Sequence, residues 1–269
     1  MLYKTRYDAA ITIARAVGDQ IASRHFEPFV VDFKDSDAND PVTSLDQFAQ
    51  KEIIRLISSQ FKDDKFYAEE DDENSISLAS ENLWIIDPID GTANFMHGLP
   101  LWGVSIAFST NGKILFGIVY CPELSLFYKA YTGYGAFLNQ KKMTVSSIPV
   151  LKKSVITSGL THGLHLETGE ENRIFSLFTS LLKSAQRVRI LGSSVLQICE
   201  VASGHTEGFC GIQLKPWDFA ASAVILKEAG GKITDFYGRE IDLHTQDFIC
   251  SNGIIHDKIL DLCKDTLFN

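Results

Sequence analysis

Cysteine, long apolar runs and positive charge are all scarce in this chain, and each shortage excludes something. The five cysteines, Cys121, Cys199, Cys210, Cys250 and Cys263, are dispersed, and no two form a Cys-x-x-Cys pair. That spacing argues against a disulfide framework or a thiolate zinc site and predicts reduced thiols used as filler. No stretch approaches the roughly 18 consecutive apolar residues of a membrane span. The opening residues, Met1-Leu2-Tyr3-Lys4-Thr5-Arg6, lack the apolar segment of a secretory signal. Cytoplasmic residence is the resulting expectation. Lys and Arg number 25 against 34 Asp and Glu, a net charge of −9. Neither nucleic acid nor membrane is therefore expected as a partner. Among the 7 histidines no metal-ligand spacing such as His-Glu-x-x-His occurs. Internal repeats and low-complexity segments are absent as well.

What remains is an ordinary globular composition, 45% hydrophobic and 22% charged over 269 residues, enough for a sizeable core. Ala10, Ile13, Ala14, Val17 and Ile21 share one face of a helix predicted over Tyr7 to Ser23. The polar stretch Glu27 to Pro41, with Asp32, Asp35, Asp37 and Asp40, reads as a strand followed by a loop, with Lys34 to Asp40 a candidate lid. Thr43 or Ser44 can cap a second helix, Gln47 completing a capping box with Ser44. Strands are expected at Lys65 to Ala68, Leu83 to Ile86, Val104 to Ser109, Lys113 to Tyr120 and Leu126 to Ala130, with a hairpin turn at Asn111-Gly112. Asp71 to Glu81 reads as an acidic surface loop and Gly133 to Asn139 as a turn. This first half predicts an antiparallel or mixed sheet. Beyond about residue 150 strands alternate with helices: strands at Val155 to Ser158, Arg187 to Ile190, Lys232 to Asp235 and Phe248 to Ser251, helices at Glu171 to Ser184, Ser193 to Ala202 and Phe219 to Glu228. That alternation is α/β in character.

The chemistry concentrates in Trp84-Ile85-Ile86-Asp87-Pro88-Ile89-Asp90-Gly91-Thr92-Ala93-Asn94-Phe95. An apolar strand that ends in two acids needs a partner for them, because unpaired carboxylates are costly in a desolvated place. Hard oxygen ligands favour Mg²⁺ over zinc. Gly91 and Thr92 add backbone N–H groups and a hydroxyl suited to a phosphate. Turn chemistry alone explains Asp-Pro and Asp-Gly, but not acids closing an apolar run. Glu69 and Glu70 end a second short strand, where a solvated charge run with Asp71 and Asp72 is the plainer reading. Asp218, before a helix of small residues, suits an N-cap, and Asp46, in a first helical turn, suits the dipole.

Together these segments resemble the inositol monophosphatase family of Mg²⁺-dependent, lithium-sensitive sugar phosphatases. Asp87-Pro88-Ile89-Asp90-Gly91-Thr92 with Phe95, Trp217-Asp218-Phe219-Ala220-Ala221, Val42-Thr43-Ser44-Leu45-Asp46, Glu69-Glu70 and Gly192-Ser193-Ser194 match its motifs in order, Ala68 replacing the usual glycine before the glutamates. The resemblance implies a layered α-β-α-β-α sandwich of the inositol monophosphatase and fructose-1,6-bisphosphatase type. Its halves, residues 1–150 with Asp46, Glu69 and the first motif and residues 151–269 with the Trp-Asp motif, would form one catalytic unit. It implies two to three Mg²⁺ ions: one on Glu69, Asp87 and the Ile89 carbonyl with Thr92 close by, one on Asp87, Asp90 and Asp218, and a weaker third near Glu69. Gly91 and Thr92 would bind phosphate, with Asp90, Gly192, Ser193 and Ser194 also lining the substrate. Asp46 and Thr92 would activate a metal-bound water for direct in-line attack. A homodimer is implied too.

The family's polyol-contacting glutamate, seven residues before the second-motif aspartate, is here Gly211. Gln213 and Lys215 stand nearby as replacements. Asn94-Phe95-Met96-His97-Gly98-Leu99-Pro100 nevertheless resembles the inositol branch, so inositol 1-phosphate is the expected substrate. Fructose 1,6-bisphosphate, 3′-phosphoadenosine 5′-phosphate, NADP and histidinol phosphate are alternatives with the same chemistry. A partner-binding regulator on the same fold is the alternative from another class.

Overall fold

The computed structural model describes residues 1–26, 30–33, 41–71, 76–159 and 171–267. The expected lid, Lys34 to Asp40, and residues 72–75 of the acidic loop lie outside them. Helix α1 (Lys4–Arg24) is followed by β1 (Val31–Phe33), β2 (Pro41–Thr43), α2 (Ser44–Ser58), β3 (Lys65–Ala68), β4 (Leu83–Asp90) and the short α3 (Thr92–Met96). Strands β5 (Gly103–Thr110), β6 (Lys113–Cys121), β7 (Leu126–Tyr131), β8 (Ala136–Leu138) and β9 (Lys141–Lys142) come next. Then come β10 (Val155–Gly159), α4 (Glu171–Ser184), β11 (Arg187–Arg189), α5 (Ser194–Ala202), β12 (Gly208–Gly211), α6 (Pro216–Glu228), β13 (Lys232–Asp235), β14 (Phe248–Ser251) and α7 (His256–Leu267).

Two main sheets organise these elements: a seven-stranded one in the order β3-β4-β5-β6-β7-β8-β9 and a five-stranded one in the order β11-β10-β12-β14-β13. Side-chain alternation sorts the apolar residues into three layers of core. Trp84, Ile86, Phe108 and Phe116 pack under α1 and α2. Leu83, Ile85, Ala107 and Val119 face the other way, onto α5 and α6. Those helices also meet Phe209, Phe248 and Cys250 of the second sheet. The far face of that sheet, with Cys210 and Ile249, is covered by Leu177 and Leu181 of α4 and Ile259 and Cys263 of α7. The layers thus run helices, sheet, helices, sheet, helices: the expected sandwich. Strand β4 is buried along its whole length. A strand covered on both faces reads as an unbroken apolar run rather than an alternating one, hence Leu83-Trp84-Ile85-Ile86.

The middle helix layer lies unusually close to the first sheet at one point. A Cβ on Gly117 of β6 would fall 2.3 Å from the Ala221 carbonyl oxygen of α6. The missing side chain, with Ala220, Ala221 and Ser222 opposite, lets α6 seat deeply and carries its first turn towards the end of β4.

Several expectations are corrected. The α2 cap is Thr43, and its box partner is Asp46, not Gln47. Asp218 sits inside the first turn of α6, where its carboxylate accepts the Lys215 N–H at 2.7 Å, rather than before the helix. Gly133 to Asn139 holds a strand, β8, because Ala136 to Leu138 pair with Tyr128 to Ala130. Strand β12 and helix α7 were not anticipated; Gly208 and Gly211 weaken the strand signal of Phe209-Cys210. All five cysteines are buried thiols. Among the described residues no helix is long and apolar enough to cross a membrane.

Candidate active site

In a regular strand residues three apart point to opposite faces. Asp87 and Asp90 do not, because β4 is bulged between them. Asp87 pairs with Ser105 and Asp90 with Gly103, so three steps on β4 match two on β5. The extra residue shifts the alternation by one. Ile86 and Ile89 therefore both enter the core under α1 and α2, and both aspartates turn towards α5 and α6. Pro88 has no N–H to lose from the ladder there. The Ile89 N–H turns to Asp87 Oδ1 at 3.1 Å.

Helix α6 supplies the third acid. Ligand oxygens of Asp87, Asp90 and Asp218 all lie within 4.8 Å of one another, and all three residues are buried. Glu69 joins them from the end of β3, which runs parallel to β4; its N–H donates to the Ile86 carbonyl at 3.2 Å, and its side chain is hydrogen-bonded to Asp87. Two like charges at this separation repel by roughly 3–4 kcal/mol at an effective dielectric near 20. Burial first, then repulsion from Glu69, Asp90 and Asp218, raises the Asp87 carboxyl well above its ordinary range. Burial, with Asp218 and Glu69 adding, pushes Asp90 to about 7 against the pull of Ser193 and Val195.

Asp46 is held beside this cluster by its role in the α2 cap. Its Oδ2 accepts the Thr43 N–H at 2.8 Å and the Thr43 hydroxyl. That leaves Oδ1 facing Thr92 Oγ1 at 3.1 Å. Thr92 Oγ1 also lies 3.0 Å from the Ile89 carbonyl oxygen. Burial raises Asp46 to about 6. Gly91, at φ +95°, makes the corner between β4 and α3; a Cβ there would lie 2.9 Å from the Leu101 carbonyl oxygen.

The second sheet's helix α5 reaches the same place. Asp90 accepts the Ser193 hydroxyl, the Ser194 N–H at 3.2 Å and the Val195 N–H at 3.0 Å. A carboxylate of β4 thus caps a helix more than a hundred residues away. Gly192 packs on Asn94. Asn94, named in the sequence only as part of a motif and without a role of its own, donates from Nδ2 to the carbonyls of Leu101 and Leu191, each at 2.7 Å. The signal was present: an amide bearing two donors, in a motif whose neighbours already carried chemistry.

The five-layered α/β sandwich thus gathers buried carboxylates on a bulged strand end, a set of oxygen donors that could hold a metal ion. The family model described as "Inositol monophosphatase family" matches residues 2–266, and the chain belongs to that family. A fructose-1,6-bisphosphatase/inositol-1-monophosphatase of Thermotoga maritima is 36% identical over 262 residues, covering 97% of each chain. The solved structure of a Thermotoga maritima IMPase superposes with a TM-score of 0.86 at 35% identity, covering 98% of each chain. The Nus factor SuhB of Salmonella typhimurium is 32% identical over 259 residues, covering 96% of this chain and 95% of the relative.

The donor set fits a hard divalent cation: carboxylate and carbonyl oxygens, crowded until their charges oppose one another. The fit predicts a pH dependence. Folding raises Asp90 from 3.8 to about 7 and Asp46 to about 6. Between those limits the folded chain keeps protons that the unfolded carboxylates have released, so the metal-free protein loses stability as pH rises through this window. A cation must displace the same protons. The upward shift in Tm on adding Mg²⁺, read by differential scanning fluorimetry, therefore grows as pH is raised from about 5 to about 8. A shift independent of pH would remove these carboxylates from cation binding.

Proposed function

We propose that the protein is a Mg²⁺-dependent phosphoric monoester hydrolase acting on a small phosphorylated alcohol, inositol 1-phosphate in the first instance. One observation carries this reading: three buried carboxylates converge within 4.8 Å, beside a hydroxyl–carboxylate pair, Thr92 and Asp46, at 3.1 Å. Glu69, Asp87 and the Ile89 carbonyl would hold one Mg²⁺, Asp87, Asp90 and Asp218 a second, and Glu69 a weaker third. When bound, the ions neutralise the phosphate dianion, acidify water and stabilise the leaving alkoxide. Thr92 and Asp46 form the proton path: Thr92 Oγ1 donates to Asp46 Oδ1, which leaves its lone pairs to accept from the attacking water. A base near pH 6 suits that task. The N–H groups of Gly91 and Thr92 orient the phosphate for in-line attack. Residues 1–150 bring Asp46, Glu69 and the β4 motif to this unit, residues 151–269 bring Asp218 and the Gly192-Ser193-Ser194 rim, and the active form is a cytoplasmic homodimer.

Alcohol recognition does not come from position 211. A Cβ there would lie 2.5 Å from Leu214 Cδ1 and 2.8 Å from Phe209 Cε1, so the space is taken. Gln213, held at φ +58° with its N–H on Asp247 Oδ1 at 2.8 Å, and Lys215 stand as its replacements. The test is a phosphate-release screen with Mg²⁺ across inositol 1-phosphate, fructose 1,6-bisphosphate, 3′-phosphoadenosine 5′-phosphate, NADP and histidinol phosphate. Inositol 1-phosphate is expected to give the highest kcat/KM, and millimolar lithium to inhibit at saturating Mg²⁺. Release from none of the five would overturn the reading. The Nus factor name of a relative supports a second reading, a partner-binding role on the same fold. It is separable, because a charge-neutral variant at Asp90 would end phosphate release and leave an outer protein-binding face unchanged.

A further inference from the structure

The active-site turn α3 is pinned from behind by a buried histidine that the phosphatase chemistry does not use. His25 follows α1 and is 3% exposed. Its Nε2 lies 2.5 Å from the Phe95 carbonyl oxygen. A carbonyl only accepts, so Nε2 carries a hydrogen. Nδ1 pairs with the Glu123 carboxylate in the β6–β7 turn. The ring is stacked on Phe95 at 4.1 Å and 13°, lies near Phe26 at 4.9 Å and 23°, and meets Trp102 edge-on at 5.9 Å and 78°. Glu123 fixes the ring's rotation, and the aromatic contacts fix its plane. What remains for Nε2 is to hold one carbonyl.

That carbonyl belongs to the same turn as Thr92. Helix α3 has five residues, so Phe95 lies only about 4–5 Å along the axis from Thr92. Phe95 also donates its N–H to the Gly91 carbonyl at 3.0 Å, and its carbonyl accepts the Gly98 N–H at 3.1 Å. A shift at the Phe95 end therefore reaches the Gly91–Thr92 corner through a single hydrogen-bonded turn. The 3.1 Å contact between Thr92 and Asp46 is at the other end of that lever.

We propose that His25 is a positioning residue for phosphate-ester hydrolysis, its Nε2–H holding α3 so that Thr92 stays against Asp46. The proposal rests on the phosphatase reading above. It predicts a split between two substitutions of similar size. In His25→Gln the amide nitrogen reaches about the place of Nε2 and can still donate to Phe95. In His25→Asn it reaches only about the place of Nδ1. Both lose the ring, so both lower Tm alike. His25→Asn should lower kcat by roughly tenfold to a hundredfold, the scale of a small misplacement of reacting groups. KM and the Mg²⁺ concentration for half activity should change far less, and His25→Gln should recover most of kcat.

Methyl NMR gives a readout independent of turnover. The Thr92 methyl resonance of metal-free protein should move in His25→Asn and stay near its wild-type position in His25→Gln. Equal kcat and equal Thr92 shifts in the two variants would assign His25 to packing alone and overturn the proposal. Wild-type protein that releases no phosphate would overturn the phosphatase reading instead, and the Thr92 resonance would still decide whether His25 positions α3. Glu123→Ala, at a half-buried turn, removes the ring's rotational anchor without emptying the core; it should lower kcat in the same direction as His25→Asn, and unchanged kcat would count against the proposal.

Discussion

Asp90→Asn abolishes Mg²⁺-dependent phosphate release, by about a thousandfold or more, while the fold survives. Asparagine keeps the shape and one acceptor oxygen but not the charge. That oxygen can still take an N–H from the start of α5, where Asp90 now accepts from Ser193, Ser194 and Val195. Removing one of three crowded carboxylates also relieves repulsion in the metal-free protein, where burial and Asp218 hold Asp90 near pH 7. Loss of a cap acceptor and relief of repulsion oppose each other, so the metal-free Tm should stay within a few degrees of wild type. What disappears is the stabilisation by the cation. A ligand at a hundred times its Kd contributes about 2.7 kcal/mol to the wild type, and most of that should be missing from the variant. Calorimetry with Mg²⁺ and a phosphate-release assay check the two halves. Full activity would remove Asp90 from the cation site; a collapsed metal-free Tm would make its role at α5 structural first.

Thr92→Ala should lower kcat by about a hundredfold to ten-thousandfold, the usual worth of a positioned proton-transfer group. Mg²⁺ affinity should change little. The threonine hydroxyl donates to Asp46 Oδ1 at 3.1 Å and lies 3.0 Å from the Ile89 carbonyl oxygen. Alanine deletes the hydroxyl but leaves all the carboxylates in place. Asp46, secured by Thr43, then faces the site with nothing to relay a proton to it. Serine restores the hydroxyl and should restore most of kcat, whereas valine keeps the branched shape without it and should not. Turnover unchanged in Thr92→Ala would exclude Thr92 from the proton path. A large loss of Mg²⁺ affinity without loss of kcat at saturating Mg²⁺ would make it a cation-site residue.

Much of the site was legible as local chemistry. The apolar run of β4 broke at charged residues, and a buried strand has few reasons to end in acids. Trp217-Asp218 opened a helix of small residues, and small residues are what a deeply seated helix requires. Asp46 is legible as a first-turn acid, but not as the box partner: Gln47 fits the spacing from Ser44, whereas the cap lies one residue earlier, at Thr43, which puts Asp46 in that place. Strands β3 to β7 of the first sheet were readable because they carry their apolar residues openly; β8 and β9, three and two residues long, were not. Strand β12 was not, because Gly208 and Gly211 are demanded by close neighbours, Ile259 and Leu214, that lie far away or across a turn. Asn94 and His25 were missed for a related reason. Each acts through a backbone carbonyl of another segment, and no pattern of side chains announces which carbonyl will be near.

By itself the sequence determined the kinds of atoms available: hard oxygen donors at strand and helix ends, a hydroxyl in a glycine corner, and enough apolar residues to bury them between layers. It also determined the family, because five motifs in one order are a long coincidence. Only the tertiary structure decided that these atoms meet. Two aspartates three apart face opposite sides of a regular strand, and the bulge at Pro88-Ile89 is what turns both the same way. The approach of α6 over Gly117 brings Asp218 to them. Both depend on contacts between residues distant in the chain, whose register is set by packing. Local propensity names the carboxylates, and long-range packing brings three of them within 4.8 Å of one another.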